Sequence, residues 1–413
     1  LLEFYSKLKL NQISSGQPNS VLAGKSGIRT GEKIRVVRIA HASLTPALRG
    51  RERAIVRSFP NVDMQVITPP RWKETGVDVE TVPDEYFPVI KAGTFLSKHI
   101  QLFAYNPFPI IRAFRKHQPH IIDMDHEPYS VPCAEILTLR NMFAPQAKIV
   151  MQTAQNILKR YPPPFSFLEK RALKQVSAAY MCSETVREVL ETKHFTNPTV
   201  LAPFGIDSDL FFPREKTEKS KDRPFTIGYV GRLMPAKGLL VLIEALTKIK
   251  SKNWRFLVVG DGGQKDLMRE KLAFHGLLER CEFVGAVPYE ETPEYFHKMD
   301  VLIVPTRTTK KIREQFGRVI IEAMACEIPV IGSTCGAIPE VIADAGLIFP
   351  ESDSGQLANQ MLRIIEDEDL QKKLATAGRK RVLENYTWNH AASQIYSAYL
   401  KVLDKRENQG ERK

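Results

Sequence analysis

Residues 225–248 read "FTIGYVGRLMPAKGLLVLIEALTK". The run Phe225–Gly231 is short, apolar and closed by a glycine, the pattern of a strand buried on both faces. Past Gly238, the residues Leu239, Leu242, Ile243 and Leu246 fall at i, i+3, i+4 and i+7, the spacing of one helix face. Strand, turn and helix in so short a span form one half of a βαβ unit. The same alternation recurs on either side. Downstream come "WRFLVVG" (Trp254–Gly260), "CEFVGAV" (Cys281–Val287), "VLIVP" (Val301–Pro305), "PVIGS" (Pro329–Ser333) and "AGLIFP" (Ala345–Pro350). Upstream lie "IRVVRIA" (Ile34–Ala40), "MQVITP" (Met64–Pro69), "HIIDMD" (His120–Asp125), "KIVMQT" (Lys148–Thr153), "AAYMCS" (Ala178–Ser183) and "TVLAPFG" (Thr199–Gly205). Strands separated by amphipathic segments predict parallel sheets with helices on both faces.

A chain of 413 residues is long for one domain and suits two. The charged, non-periodic stretch 213–224 is the natural linker. The expected organisation is a turn-rich, poorly ordered lead-in (1–32), a first domain (33–212), the linker (213–224), a second domain (225–385), a helix crossing back to the first domain (386–404) and a charged tail (405–413). The fold class is α/β, two doubly wound Rossmann-like domains with a cleft between them. Ligands in such sheets bind outside the carboxyl ends of the strands, so the loops there are where chemistry is expected.

Hydrophobic residues at 43% and charged residues at 26% describe a soluble globular chain. No apolar run reaches the length of a membrane span, and no secretory leader is visible, although the chain opens on Leu1 rather than methionine. Five scattered cysteines without a C-x-x-C spacing argue against a disulfide framework or zinc site and fit a reducing, cytoplasmic compartment. The net charge is +12, of which residues 1–212 carry +8 (27 Lys+Arg against 19 Asp+Glu). Such an excess suits an anionic partner, whether a membrane surface, a phosphorylated substrate or nucleic acid; an ordinary solvated basic surface is the simpler explanation.

Two stretches carry the chemistry. In "GYVGRLMPAKG" (Gly228–Gly238), Arg232 and Lys237 lie between a strand end and a helix start, where backbone N–H groups and the helix dipole also favour an anion. Two solvated cations near a turn is an equally good reading of that segment alone. The spacing is not that of a Walker loop, and "VVGDGGQ" (Val258–Gln264) lacks the G-x-G-x-x-G spacing of a dinucleotide fingerprint; a tight turn is expected there. In "EQFGRVIIEAMA" (Glu314–Ala325), two carboxylates flank Gly317. A helix starting just after Gly317 would leave free N–H groups around Phe316–Val319 as a second anion site. Glu322, one turn in, could accept hydrogen bonds from a ribose diol, or could pair with an arginine in the core. Glu314 could reach a different hydroxyl.

Taken with "LVVGDGG", "EFVGAV" and "PVIGSTCGAIPEVI", these motifs resemble the family 4 glycosyltransferases of GT-B fold, densely from Gly228 to Pro350 and more thinly in the first half. There "HEP" (His126–Pro128) is similar to the family's donor-sugar histidine, "LAPFGIDSDLFFP" (Leu201–Pro213) to the stretch that closes the first domain, and "YTWNH" (Tyr386–His390) to the start of the returning helix. The resemblance implies that Arg232 and Lys237 hold the donor diphosphate, Glu322 the ribose and Glu314 the donor sugar. It places Gln315, Phe316, Gly317, Arg318 and Val319 against sugar and phosphate, with Gly231 and Val284 also in the donor site and His126 beside the reacting sugar. Where the family has a Gly-Gly-x-Glu loop, this chain reads Arg49-Gly50-Arg51-Glu52, which leaves Gly50 to let the diphosphate approach.

The implied activity is a retaining transfer of a sugar from a UDP- or GDP-sugar to a hydroxyl of a glycan or lipid-linked acceptor, in cell-surface polysaccharide synthesis, without metal, cofactor or nucleic acid. Asp123 and Asp125 share one face of a strand, but their place in the first domain suits a structural or acceptor-side role better than a metal site. The alternatives are another GT-B enzyme, such as a nucleotide-sugar epimerase or phosphorylase, or an inactive sugar-nucleotide-binding homologue. The aromatic and basic stretch Phe95–His117 suits either an anionic membrane surface, with the protein peripheral at its inner face, or an amphipathic helix pair packed on the sheet.

Overall fold

The computed structural model describes residues 32–74, 77–97, 99–214 and 223–404. The lead-in up to residue 31, most of the linker (215–222) and the tail from residue 405 lie outside the described residues.

The first domain runs β1 (Ile34–Ile39), α1 (Gly50–Ser58), β2 (Val62–Thr68), β3 (Arg71–Glu74), β4 (Val77–Glu80), β5 (Val89–Lys91), β6 (Thr94–Phe95), β7 (Ala104–Tyr105), α2 (Pro107–His117), β8 (Ile121–Asp125), α3 (Val131–Phe143), β9 (Lys148–Thr153), α4 (Phe165–Gln175), β10 (Ala178–Met181), α5 (Glu184–Thr192) and β11 (Thr199–Leu201). Seven of these strands form one parallel sheet, ordered β11-β10-β9-β8-β1-β2-β5. The second domain runs β12 (Phe225–Val230), α6 (Leu239–Lys248), β13 (Trp254–Val259), α7 (Lys265–Phe274), β14 (Cys281–Gly285), α8 (Thr292–Phe296), β15 (Val301–Val304), α9 (Arg318–Ala325), β16 (Val330–Ser333), α10 (Ile338–Ile342), β17 (Leu347–Phe349), α11 (Ser354–Glu366) and α12 (Glu368–Asn385). Its six strands are also parallel, ordered β14-β13-β12-β15-β16-β17. In each sheet the order reverses beside the first strand, between β1 and β8 and between β12 and β15. Such a switch point opens a crevice between the two loops that leave it.

Helix α13 (Trp388–Leu403) returns to the first domain. Its Ile395, Ala398 and Tyr399 are buried in the same core as Ile34, Val36 and Tyr180. The Trp388 indole fills the space where a Cβ on Gly50 would sit, 2.3 Å from Nε1, and the Trp388 backbone lies 2.5 Å from a Cβ built on Gly205. A separate apolar core runs through both domains, from Val37 and Met151 of the first to Leu302 and Phe316 of the second.

Arg38 on β1 organises the middle of the first domain. Only 2% exposed, its guanidinium donates to Glu52 (3.0 Å), Asp123 (2.6 Å), Tyr180 (2.8 Å) and Gln152 (2.9 Å). Burial pushes this guanidinium towards neutrality, but the facing Asp123, Glu52 and Asp125 outweigh it and raise its pKa well above the ordinary value. Tyr399 closes the network from α13 by donating to Asp123 Oδ2 at 2.5 Å.

Phe95–His117 is not a helix pair. Its first part is the hairpin β6–β7, and only Pro107–His117 is helical, capped by Asn106. The prolines at 107 and 109 suit the first turn of a helix, while the aromatic residues before them suit strands. Strand β5 and the hairpin β3–β4 are also additions to the strands expected from the sequence.

Candidate active site

The loop after β12 begins at Gly231 and ends in a 3₁₀ turn, Pro235–Lys237, at the start of α6. Gly238, with φ of 67°, has its α-carbon so close to Pro305 that a Cβ would sit 1.8 Å from the Pro305 carbonyl oxygen. The β12 and β15 loops are therefore pressed together. The β13 loop locks against the first in the same way. A Cβ on Gly260 would lie 1.9 Å from the Gly231 oxygen, and Leu233 N–H donates to Asp261 O at 2.9 Å. "VVGDGGQ" is thus the tight turn expected of it, and it buttresses the Gly231–Lys237 loop.

Across the switch point, Lys237 Nζ meets Glu314 Oε2 at 2.6 Å. The hydroxyl of Thr306, which is 1% exposed, donates to the same oxygen at 3.2 Å. Arg232 is exposed beside this pair, its carbonyl receiving the Tyr229 hydroxyl at 2.8 Å. Burial, then the charge of Glu314, raises the pKa of that tyrosine, so it stays protonated.

Gly317, with φ of 84°, caps α9, and the helix starts at Arg318. Phe316 is buried, Gln315 is exposed, and Arg318, Val319 and Val284 are half-buried. Glu322 is 8% exposed, and Arg318 Nη2 lies 3.6 Å from its Oε1. Burial raises the Glu322 pKa and the Arg318 charge partly opposes it. Arg318 also lies over the Tyr289 ring at 5.2 Å.

His126 follows β8 at the first domain's switch point. It is 5% exposed, its Nε2 lies 3.1 Å from the Tyr105 hydroxyl, and its ring stacks at 5.5 Å on His41 from the loop after β1. Burial, then His41 and Arg38, hold its pKa well below the ordinary histidine value, so it is a neutral imidazole at physiological pH.

The site expectations separate here. Lys237 and Glu314 are in direct contact, with Arg232 alongside, and Glu322 lies at the start of the helix that Gly317 caps. The Cβ space of Gly50 is filled by Trp388, so packing of α13 by itself requires glycine there. Arg49, in place of the family's first glycine, is fully buried and donates to Ser43 O (3.0 Å), Leu44 O (2.6 Å) and Val82 O (2.7 Å), holding two loops together. Asp123 is occupied by Arg38, Tyr180 and Tyr399.

Sequence reading missed Thr306 and Asn156. Both lie just beyond the carboxyl end of a strand, and that position is the signal that would have found them. Asn156 Nδ2 donates to the carbonyl of Glu314 at 2.8 Å, across the domain seam. A cavity of about 400 Å³ lies elsewhere, where α13 returns, lined by Cys182, Arg187, Glu340, Tyr386, His390 and Lys401 among others. None of the residues assigned to the donor lines it.

Residues 212–381 match the family model described as glycosyl transferases group 1. The D-inositol 3-phosphate glycosyltransferase of Stackebrandtia nassauensis is 25% identical over 80% of this chain and 79% of its own. The capsular polysaccharide biosynthesis glycosyltransferase CapM of Staphylococcus aureus is 26% identical over 86% of this chain and 94% of its own. That family match covers the second domain, and the relatives that span most of the chain transfer sugars: the chain is a glycosyltransferase. Its fold is GT-B. Among solved structures, HepE of Anabaena in complex with UDP and glucose superposes with a TM-score of 0.64, at 17% identity, over 88% of this chain and 98% of its own.

Proposed function

We propose that this glycosyltransferase moves a sugar, with retention of anomeric configuration and without a metal, from a UDP- or GDP-sugar to a hydroxyl of a glycan or lipid-linked acceptor in cell-surface polysaccharide synthesis. The observation that carries the reading is the Lys237–Glu314 contact across the second domain's switch point. A cation for the diphosphate and a carboxylate for the sugar stand side by side, so one donor spans both.

The hard step is expulsion of the nucleoside diphosphate. Arg232, Lys237 and the amides that open α6 stabilise charge on the leaving group as it develops. Glu314 and the amides beside Gly317 orient the sugar, and Glu322 receives the ribose diol. The acceptor hydroxyl attacks from the face the diphosphate leaves, and its proton passes to a departing phosphate oxygen. Neutral His126 offers a hydrogen bond to the sugar rather than a charge.

The acceptor side of the reading rests on the hairpin β6–β7 and on helix α2 beyond it. Residues 86–122 contain five Lys and Arg and no Asp or Glu. In the same stretch Phe95, Leu96 and Phe108 are 60%, 78% and 76% exposed. Large apolar side chains set among cations suit the surface of an anionic bilayer, from which a lipid-linked acceptor would be presented. No helix among the described residues is long and apolar enough to cross a membrane.

Calorimetric titration with UDP, GDP and ADP tests the donor assignment. Binding of UDP or GDP that is weakened in Glu322→Gln supports it, and no binding of any of the three contradicts it.

A further inference from the structure

The loop that carries Glu314 belongs to the second domain, yet the first domain holds it at successive residues. Asn156, in the loop after β9, is 2% exposed and donates its Nδ2–H to Glu314 O at 2.8 Å. Its own carbonyl faces Arg313 Nη1 at 3.4 Å. The Cys182 thiol donates to Gln315 O at 3.4 Å, and the Phe204 ring packs edge-on against Phe316 at 5.5 Å.

The Glu314 carbonyl does not need Asn156 in order to be satisfied. Ala337 N–H, from the same domain, already donates to it at 3.1 Å. Gly336 lets that segment come close, since a Cβ there would sit 2.1 Å from the Glu314 oxygen. The second donor therefore fixes direction more than it covers a desolvated oxygen. Two donors from opposite domains pin the peptide group that sets where the Glu314 carboxylate points.

The Asn156 loop is itself anchored to the catalytic side of the first domain. Glu127, the neighbour of His126, accepts from Thr153 Oγ1 at 2.6 Å and from Ala154 N–H at 2.9 Å. A short run of hydrogen bonds and chain thus connects the His126 loop to Glu314. A domain contact of this kind biases a site only while the two domains touch, which gives the connection a defined two-state element.

We infer that Asn156, from the first domain, is a positioning residue for Glu314 of the second. This rests on the assignment of Glu314 to the donor sugar.

The test compares sugar nucleotides with their parent nucleotides by calorimetry, using UDP-glucose and UDP-N-acetylglucosamine against UDP, and GDP-mannose against GDP. In Asn156→Ala and in the size-matched Asn156→Asp, which cannot donate to a carbonyl when ionised, the ratio of sugar-nucleotide to nucleotide Kd is expected to rise about 5–30-fold. The Kd for the bare nucleotide should stay within about two-fold. In a Glu314→Ala background the same Asn156 substitutions should change the ratio less than about two-fold, because the residue they act through is gone. An unchanged ratio in folded Asn156→Asp overturns the inference, as does a full effect that persists without Glu314. Absence of any nucleotide binding by the wild type would instead remove the donor assignment beneath it.

Discussion

Lys237 Nζ and Glu314 Oε2 stand 2.6 Å apart across a switch point, joining two loops that come from strands on either side of it. In the free enzyme each neutralises the other. On the proposed reading a donor diphosphate would compete for the lysine, and charge on that diphosphate would grow as the sugar departs. Lys237→Ala should therefore lower kcat by about 10²–10³-fold while weakening nucleotide binding much less. Steady-state rates beside calorimetric Kd values check this; equal losses in both would mean that Lys237 binds without favouring the transition state.

Glu322 is expected to have opposite effects on stability and on binding. Burial raises its folded pKa above the ordinary value, so folding favours its protonated form. Stability associated with this group is present below the ordinary glutamate pKa and falls as pH rises towards the raised value. Glu322→Gln should then raise the melting temperature at pH 7 by about 2–4 °C and have little effect at pH 4. The same change should weaken nucleoside diphosphate binding by about 1.5–3 kcal/mol. A melting temperature that rises without loss of affinity would detach Glu322 from the ribose.

Arg38→Ala leaves Asp123 and Glu52 buried without their cation. A loss of about 3–5 kcal/mol in urea unfolding is expected. Asp123→Asn should likewise destabilise the fold without making turnover dependent on manganese. Transfer that is abolished by chelator and restored by manganese would instead make Asp123 and Asp125 metal ligands.

Gly50→Ala drives a methyl group into the Trp388 indole and should cost about 1–3 kcal/mol of stability. Relief of that cost by Trp388→Leu would confirm packing as the reason for the glycine. Unchanged melting with reduced nucleotide affinity would point back to the diphosphate.

The triple variant Phe95→Ser, Leu96→Ser, Phe108→Ser should lose most of its co-sedimentation with vesicles of phosphatidylglycerol and phosphatidylcholine. Wild-type binding should weaken as salt is raised. Equal sedimentation of variant and wild type would leave these side chains without a part in the acceptor's delivery.

The two doubly wound sheets were legible because buried parallel strands and helix faces write their periods directly into the chain, as in Phe225–Lys248. The loops that bring Lys237 and Glu314 together were legible because glycine, cations and carboxylates recur after strands. Other features lie beyond such reading. The Arg38 network joins residues up to 276 positions apart through a single hydrogen bond, and no local pattern announces a partner at that distance. The packing need for Gly50 shows only once the indole of a residue 338 positions later is seen against it. Hairpin β6–β7 has two residues per strand, too few for alternation to show.

Trp388, seated between Gly50 and Gly205, has a topological consequence. With α13 fastened to the first domain, the polypeptide travels out to the second domain once, after β11, and comes home once, after α12. The second domain is thus an insert spliced into the first, attached at two points. Both ends of that insert are therefore tethered to one body, so the second domain cannot leave the first even where the apolar core between them parts.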